Sequence, residues 1–157
     1  MSRSATTEAD ERAAVVAQAR RWIGTPYHHN AAVMGAGIDC GRILIEAFAG
    51  AGMIDRFTPQ PYSHQWHLHQ GAEVYADIVL GFATEVAYAP PMPPATVLLF
   101  RHGRTFSHGA LVTDWPNIIH AYAAADRVEE VSIEGTPLLT LGAGARPIRA
   151  FDYWQGR

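Results

Sequence analysis

The one cysteine of the chain, Cys40, is the residue whose type and position most directly suggest chemistry. It follows Asp39, a preferred N-cap residue, at the start of an apolar segment with helical spacing. A thiol in the first turn of a helix lies beside unpaired backbone amides and the positive end of the macrodipole, which favours the thiolate. The same amides, with Asp39 and Gly41 as candidates, could bind the oxyanion of a tetrahedral intermediate. The simpler alternative is that Cys40 is a small buried hydrophobe.

Two histidines stand at positions that could place them beside each other on a sheet. His108 opens one predicted strand, and His120 lies within the next. If the loop between them has an odd number of residues, for instance 114–116, His120 pairs opposite Ala110 and shares a sheet face with His108. Diagonal positions on one face are about 7 Å apart, so one imidazole could orient the other. The pattern predicts nucleophile, base and orienting residue at Cys40, His108 and His120; alternatively, each histidine is a half-buried polar residue satisfied by backbone.

Three helices are predicted in the first half of the chain from apolar residues with a period of 3.6. The first covers about 7–23 and ends at Gly24, a C-terminal stop signal. The second begins near Asp39 and ends at Gly50 and Gly52. The third is predicted over 64–86.

The second half of the chain has the pattern of β-structure. Four prolines between positions 90 and 94 break the chain, and short apolar segments separated by turn residues follow. The predicted strands are Val97–Phe100, Gly109–Thr113, Ile118–Tyr122, Arg127–Ile133 and Pro147–Tyr153. Helices followed by consecutive strands predict an α+β fold, with N-terminal helices packed on a C-terminal antiparallel sheet and a site in the cleft between them.

Length and composition limit the classes of function. The 157 residues predict one domain over positions 1–157, with 1–12 as a polar extension. A net charge of -3 and the absence of a Lys/Arg-rich segment argue against nucleic-acid binding. No segment approaches the roughly 18 apolar residues of a membrane span, and the polar N-terminus does not resemble a signal peptide.

The remaining histidines raise the question of a metal site. His64, His67 and His69 lie close together, and the chain has eight histidines in all. On a helix, His64 and His67 would share a face but His69 would not, and no cysteine stands near them. We therefore predict neither a metal nor another cofactor, and interpret these residues as part of a cleft wall or contact surface.

Several short motifs in this chain, taken together, resemble those of the NlpC/P60 family. They are 24–27 (Gly-Thr-Pro-Tyr), Asp39-Cys40 at a helix start, 107–112 (Ser-His-Gly-Ala-Leu-Val) and 119–121 (Ile-His-Ala). Each motif alone is weak, but their order and spacing are together more specific. Segments similar to 66–69 and 115–122 also occur in cell-wall peptidases encoded by tailed phages and phage-like particles.

The resemblance implies a papain-like NlpC/P60 fold and a Cys-His-His site. It implies Cys40 as nucleophile, His108 as general base and His120 as the residue that orients it. Tyr27 matches a family tyrosine near the nucleophile and, with Ser107, is a candidate substrate or oxyanion contact. The implied activity is hydrolysis of a peptide bond in the stem peptide of peptidoglycan.

The same resemblance carries expectations about setting and alternatives. It implies a virion-associated protein of a phage or phage-like tail, made in the bacterial cytoplasm, with other tail-tip proteins as partners. Two alternatives stay open, a structural tail-tip protein without activity and an amidase or acyltransferase with the same site. The chain departs from the family where Gly41-Arg42 replaces the common Ser-Gly, and where Ala95-Thr96 replaces the Gly-Asp that often opens the first strand.

Overall fold

The computed structural model describes residues 6–59, 73–135 and 147–157. In this part of the chain, three helices precede most of a six-stranded antiparallel sheet, so the α+β prediction is confirmed. The helices are α1 Glu8–Arg20, α2 Arg42–Gly50 and α3 Val74–Leu80. The strands are β1 Ala32–Val33, β2 Gly37–Ile38, β3 Thr84–Val86, β4 Val97–His102, β5 Thr105–Val112, β6 Asn117–Tyr122, β7 Arg127–Ser132 and β8 Ile148–Asp152.

Helix α1 begins with a capping box, which its sequence explains. The hydroxyl of Thr7 accepts the amide of Asp10, and the carboxylate of Asp10 accepts the amide of Thr7. Val15 and Ala19 are fully buried in the apolar cluster that also holds residues of α2, the helix against which α1 packs. The predicted first helix is confirmed, although it ends at Arg20 rather than at residue 23.

The predicted third helix over 64–86 is wrong at its C-terminal end. Helix α3 stops at Leu80 with Gly81 as C-cap, and Thr84–Val86 form strand β3 instead. These three residues pair in register with Ala150–Asp152 of β8, so a sheet edge far away in the sequence overrides the helical pattern. The start of the prediction, 64–72, lies outside the described residues.

The large sheet has the strand order β3-β8-β4-β5-β6-β7, with every neighbouring pair antiparallel. All five strands predicted from the sequence are present, each shifted by a few residues at its ends. Alternate residues along β4 and β5 pack into two apolar clusters, since successive side chains point to opposite faces. One cluster joins the sheet to the helices, and it includes Leu44, Leu99, Leu111 and Cys40.

Two irregularities in β5 position the candidate site. The β4–β5 register shifts between Phe100 and Arg101, where Ser107 is the extra residue on β5. A bulge of this kind re-aims neighbouring side chains, here that of His108. The Cα pairing of β5 with β6 stops at Leu111 and Ile119, before it reaches the histidines. No helix in the described ranges is long and apolar enough to span a membrane.

Candidate active site

The turn that carries Cys40 is organised by Asp39. Its Oδ1 accepts the amides of Gly41 and Arg42 at 3.1 and 2.8 Å, and its Oδ2 accepts the amide of Asn30 at 2.8 Å. Asp39 is fully buried. It therefore accepts the amides that a capping residue would bind, but the N-cap of α2 is Gly41 and the helix begins at Arg42, so Cys40 lies in the turn before the helix and not in its first turn.

This capping corrects one expectation about Gly41 and Asp39. The Gly41 amide, a candidate for the oxyanion site, already donates to the Asp39 carboxylate. A donor engaged in this way does not point at a substrate carbonyl, because one N–H has one good direction. Asp39 itself has both oxygens occupied by backbone. The geometry gives these two residues a role in shaping the turn.

Three groups surround the sulfur of Cys40. Its Sγ lies 3.3 Å from the Tyr75 hydroxyl and 3.7 Å from the Ser107 carbonyl oxygen, to which the thiol can donate. The Gly109 amide lies close enough to the sulfur to lower its pKa. Ser107 and Gly109 flank His108 on β5, so the sulfur sits against the backbone at the predicted base.

The position of the sulfur on the sheet follows from the strand pairing. A carbonyl and the amide two residues further on point to the same edge of a strand, as Ser107 and Gly109 do here. Strand β4 pairs with the other edge of β5 along this stretch, whereas pairing with β6 has already ended at Leu111. The sulfur therefore lies at the edge of β5 where β6 has separated, between the two strands that carry the histidines.

The thiol rests in its neutral form, contrary to the expectation from the sequence. Burial, and then the Asp39 carboxylate, raise the pKa of Cys40 from 9.0 to about 12, although bonds from Tyr75 and Gly109 lower it. Cys40 is only 4% exposed, and the amides at the helix end that were expected to favour the thiolate are taken by Asp39. A base must therefore remove the proton when the sulfur reacts.

The two histidines contact each other directly. His108 Nε2 and His120 Nδ1 are 2.8 Å apart, and both rings are buried. Val112 pairs with Ile118, so an odd number of residues, 113–117, separates paired positions, which is the parity that the sequence argument required. Leu111 pairs with Ile119, and one more step in this register sets Ala110 opposite His120. The predicted proximity of the histidines is confirmed, while their catalytic roles stay predictions.

Glu129 extends this contact and was missed from the sequence. Its Oε1 lies 3.0 Å from His120 Nε2, and the two residues are direct partners across β6 and β7. The sequence did contain a signal for this contact. Pairing the two predicted strands Ile118–Tyr122 and Arg127–Ile133, as was done for the strands of the histidines, places a residue of β7 opposite His120. Burial, the larger effect, lowers the pKa of His120, while Glu129 raises it.

Tyr75 is a residue at the site for which the sequence predicted no role. It is buried and brings its hydroxyl to the sulfur from α3. Only the packing of α3 against β5 creates this contact, so no local motif could have indicated it.

Tyr27 lies near Cys40 and Asp39. Its backbone bridges to Ile38, and its amide donates to the Asp126 carbonyl at 2.8 Å. The pKa of Tyr27 is raised above its usual range by burial, and further by Cys40 and Asp39 nearby. The hydroxyl is therefore a neutral donor at physiological pH.

The clustered histidines that were considered as metal ligands lie outside the described residues. They are His64, His67 and His69. In the described ranges, no group of three or more His, Cys, Asp or Glu side chains is arranged to hold a metal ion.

Solved structures with a similar fold identify the architecture. NlpC1 from Trichomonas vaginalis superposes with a TM-score of 0.65 at 14% identity, over 95% of this chain and 45% of that one. The NlpC/p60 domain of the peptidoglycan hydrolase SagA superposes with a TM-score of 0.57 at 17% identity, over 88% of this chain and 96% of that one. This chain has the NlpC/P60 fold.

The fold is shared by proteins with different properties. RipD from Mycobacterium tuberculosis, described as a non-catalytic NlpC/p60 domain protein adapted to peptidoglycan binding, superposes with a TM-score of 0.52 at 14% identity, over 88% of this chain and 95% of that one. This chain spans less than half the length of NlpC1. No family model matches the sequence, and no curated protein matches it either. At these identities the likeness establishes the fold alone.

Proposed function

We propose that this protein belongs to the NlpC/P60 family and is a cysteine peptidase that cleaves peptide bonds in the stem peptides of peptidoglycan. The observation that carries the proposal is the placement of the Cys40 sulfur against the backbone on both sides of His108, whose ring is bonded to His120. The fold and its occurrence in peptidoglycan hydrolases such as SagA support the choice of substrate.

The proposed mechanism follows from the resting state of the site. His108 takes the proton of Cys40 as the sulfur attacks the carbonyl carbon, because the buried thiol does not ionise by itself. The imidazolium of His108 then protonates the leaving amine, and the C–N bond breaks to leave a thioester. Water attacks the thioester with His108 again as base, which releases the acid and restores the thiol.

Donors near the sulfur support the stabilisation of charge in this scheme. The Tyr75 hydroxyl can donate to the sulfur as negative charge develops on it. Tyr27 remains protonated and is the candidate donor for substrate or oxyanion, in place of the Gly41 amide. Removal of one oxyanion donor typically costs about 10²–10³-fold in kcat.

Purified muropeptides incubated with wild type and with Cys40→Ala test the proposal. We expect wild type to release peptide fragments and Cys40→Ala to release none, with circular dichroism as the control for folding. Mass spectrometry of the products separates cleavage between two amino acids from amidase or acyl-transfer activity at the same site. Equal activity of the two proteins, or no activity from either, contradicts the proposal.

A second candidate function is peptidoglycan binding without catalysis. The raised pKa and 4% exposure of Cys40 favour it, and RipD is an NlpC/P60 domain with that property. In that case wild type and Cys40→Ala should sediment equally with insoluble peptidoglycan, and neither should release fragments. Release of fragments by wild type alone excludes this candidate.

We also propose that the protein acts from a phage or phage-like tail, together with other tail-tip proteins. The support is the resemblance of segments 66–69 and 115–122 to phage-encoded cell-wall peptidases. Proteomic analysis of purified tail particles tests this setting, and the absence of the protein from every particle fraction contradicts it.

A further inference from the structure

We propose that Glu129 is a positioning residue that determines which nitrogen of His120 and of His108 carries the proton, so that Nδ1 of His108 is the basic atom. For its catalytic consequence this inference rests on the proposed function. Its structural part, the assignment of two tautomers, stands on the hydrogen-bond geometry alone and is measured without any substrate.

Three side chains from three adjacent strands form a continuous hydrogen-bonded chain. His108 Nε2 meets His120 Nδ1 at 2.8 Å, and His120 Nε2 meets Glu129 Oε1 at 3.0 Å. Each contact uses one defined nitrogen of each ring. Because His120 bridges the other two with both of its nitrogens, its protonation state couples them.

The proton positions follow from what each group can donate. An ionised Glu129 only accepts hydrogen bonds, so Nε2 of His120 must carry the proton in that contact. His120 is neutral at physiological pH, since its burial lowers its pKa. Its Nδ1 therefore accepts, and His108 must donate from Nε2. A neutral His108 then has its lone pair on Nδ1.

Neighbouring rings hold both histidines in this orientation. Tyr122 stacks on His120 with centroids 4.7 Å apart at 20°, and it also lies 5.3 Å from His108. His102 packs edge-on against His108 at 5.7 Å. A ring flip of His120 would put ring carbons where Nδ1 and Nε2 now lie and would lose both hydrogen bonds, so the order of donors is kept.

The charge of Glu129 is the part that a neutral side chain cannot replace. The amide of glutamine has both a donor and an acceptor end, so it can satisfy either tautomer of His120. Glu129→Gln therefore keeps the size of the side chain and loses the directional constraint. Glu130 is the matched control, since it pairs with Ile119 on the opposite sheet face and bonds to Arg20.

Nitrogen-15 NMR of histidine-labelled protein tests the inference without substrate. In wild type and in Glu130→Gln, we expect His120 and His108 both to be protonated at Nε2. In Glu129→Gln, we expect the signals of both residues to shift towards a mixture of tautomers. Unchanged signals in Glu129→Gln, or a proton on Nδ1 of His120 in wild type, overturn the inference.

Kinetics test the catalytic consequence with the same proteins. Glu129→Gln should lower kcat on the order of 10- to 100-fold with KM unchanged, as for other histidines oriented through an outer hydrogen-bond partner. Glu129→Asp should recover part of the loss, because it keeps the charge, and Glu130→Gln should stay within roughly twofold of wild type. A kcat of Glu129→Gln equal to that of wild type contradicts the catalytic role.

The NMR experiment and the kinetic experiment together distinguish failure of this inference from failure of the proposed function. If wild type cleaves no muropeptide but the tautomers change in Glu129→Gln, the proposed function fails and the positioning by Glu129 holds. If wild type cleaves and the NMR signals do not respond to Glu129→Gln, the inference fails and the function holds. Melting temperatures of all four proteins show whether a loss of kcat reflects unfolding.

Discussion

The two halves of the candidate site are prepared to different degrees. On the sheet side, His108, His120 and Glu129 form a connected chain with contacts of 2.8 and 3.0 Å. On the helix side, the amides at the start of α2 are used by Asp39, and Cys40 rests as a neutral thiol. The proposed base is therefore organised before a substrate arrives, whereas the proposed nucleophile still has to be activated.

This difference teaches that a helix start is not by itself an activating environment. The amides that would stabilise a thiolate also need partners in the folded protein, and a buried carboxylate at Asp39 is a stronger acceptor than a thiol. That carboxylate brings its own negative charge, which raises the pKa of Cys40 further. In the proposed mechanism, activation of the thiol is therefore assigned to the histidine side of the site.

Removal of the base should have the largest effect. We expect His108→Ala to lower kcat/KM by roughly 10³-fold, since general-base catalysis typically contributes about 10²–10⁴-fold and the thiol does not ionise unaided. Hydrolysis of a stem peptide measures it, with His28→Ala, an exposed histidine, as control. A loss below tenfold would mean that Cys40 is activated from the helix side after all.

The resting state of the thiol is measured by alkylation. With a pKa of about 12 instead of 9.0, Cys40 should react roughly 30-fold more slowly than free cysteine at pH 7, because a higher pKa lowers the thiolate fraction but raises its nucleophilicity. The free energy of unfolding should also fall as the pH rises from 9.0 towards 12, since the unfolded thiol ionises first. Alkylation as fast as that of free cysteine would show that the thiol of Cys40 is already activated in the resting protein, and would remove the difference between the two halves of the site.

The contact between the two halves depends on Gly109. A Cβ at this position would lie 2.9 Å from Leu44 Cδ1 and 3.2 Å from the Cys40 carbonyl oxygen. We expect Gly109→Ala to lower the free energy of unfolding by about 1–3 kcal/mol and to reduce activity, because the turn with Cys40 must move away from β5. Gly135→Ala is the control in denaturant titration, since within the described ranges its Cβ would meet Ser132 alone, at 3.8 Å. Equal midpoints for the two variants would refute the close packing.

The hydroxyl of Tyr75 should have the smallest of these effects. We expect Tyr75→Phe to lower kcat by roughly 3- to 10-fold, the value of one net hydrogen bond to the developing charge on sulfur. The pKa of Cys40 should rise further, which alkylation at several pH values measures. A faster alkylation in Tyr75→Phe would show that the hydroxyl stabilises the thiol rather than the thiolate.

Much of the fold could be predicted because its signals are local. The period of apolar residues predicted α1 and α2, and alternating segments between turns predicted five of the six strands in the large sheet. The sixth, β3 at 84–86, lies in a segment with a helical pattern, and its strand state comes from pairing with β8. The predictions for 64–72 and for a single domain over 1–157 stay untested.

The sequence by itself determined the contacts between residues that are close along the chain, because these contacts follow from the number of residues in a loop or turn. An odd loop sets His108 and His120 on one face, and an aspartate before a helix accepts amides at the helix start. Only the tertiary structure decided which groups from distant segments complete the site. Tyr75 reaches the sulfur through the packing of α3, and Glu129 meets His120 through the register of β7. The charge state of Cys40 was also decided by the tertiary structure, because burial is a property of the whole fold.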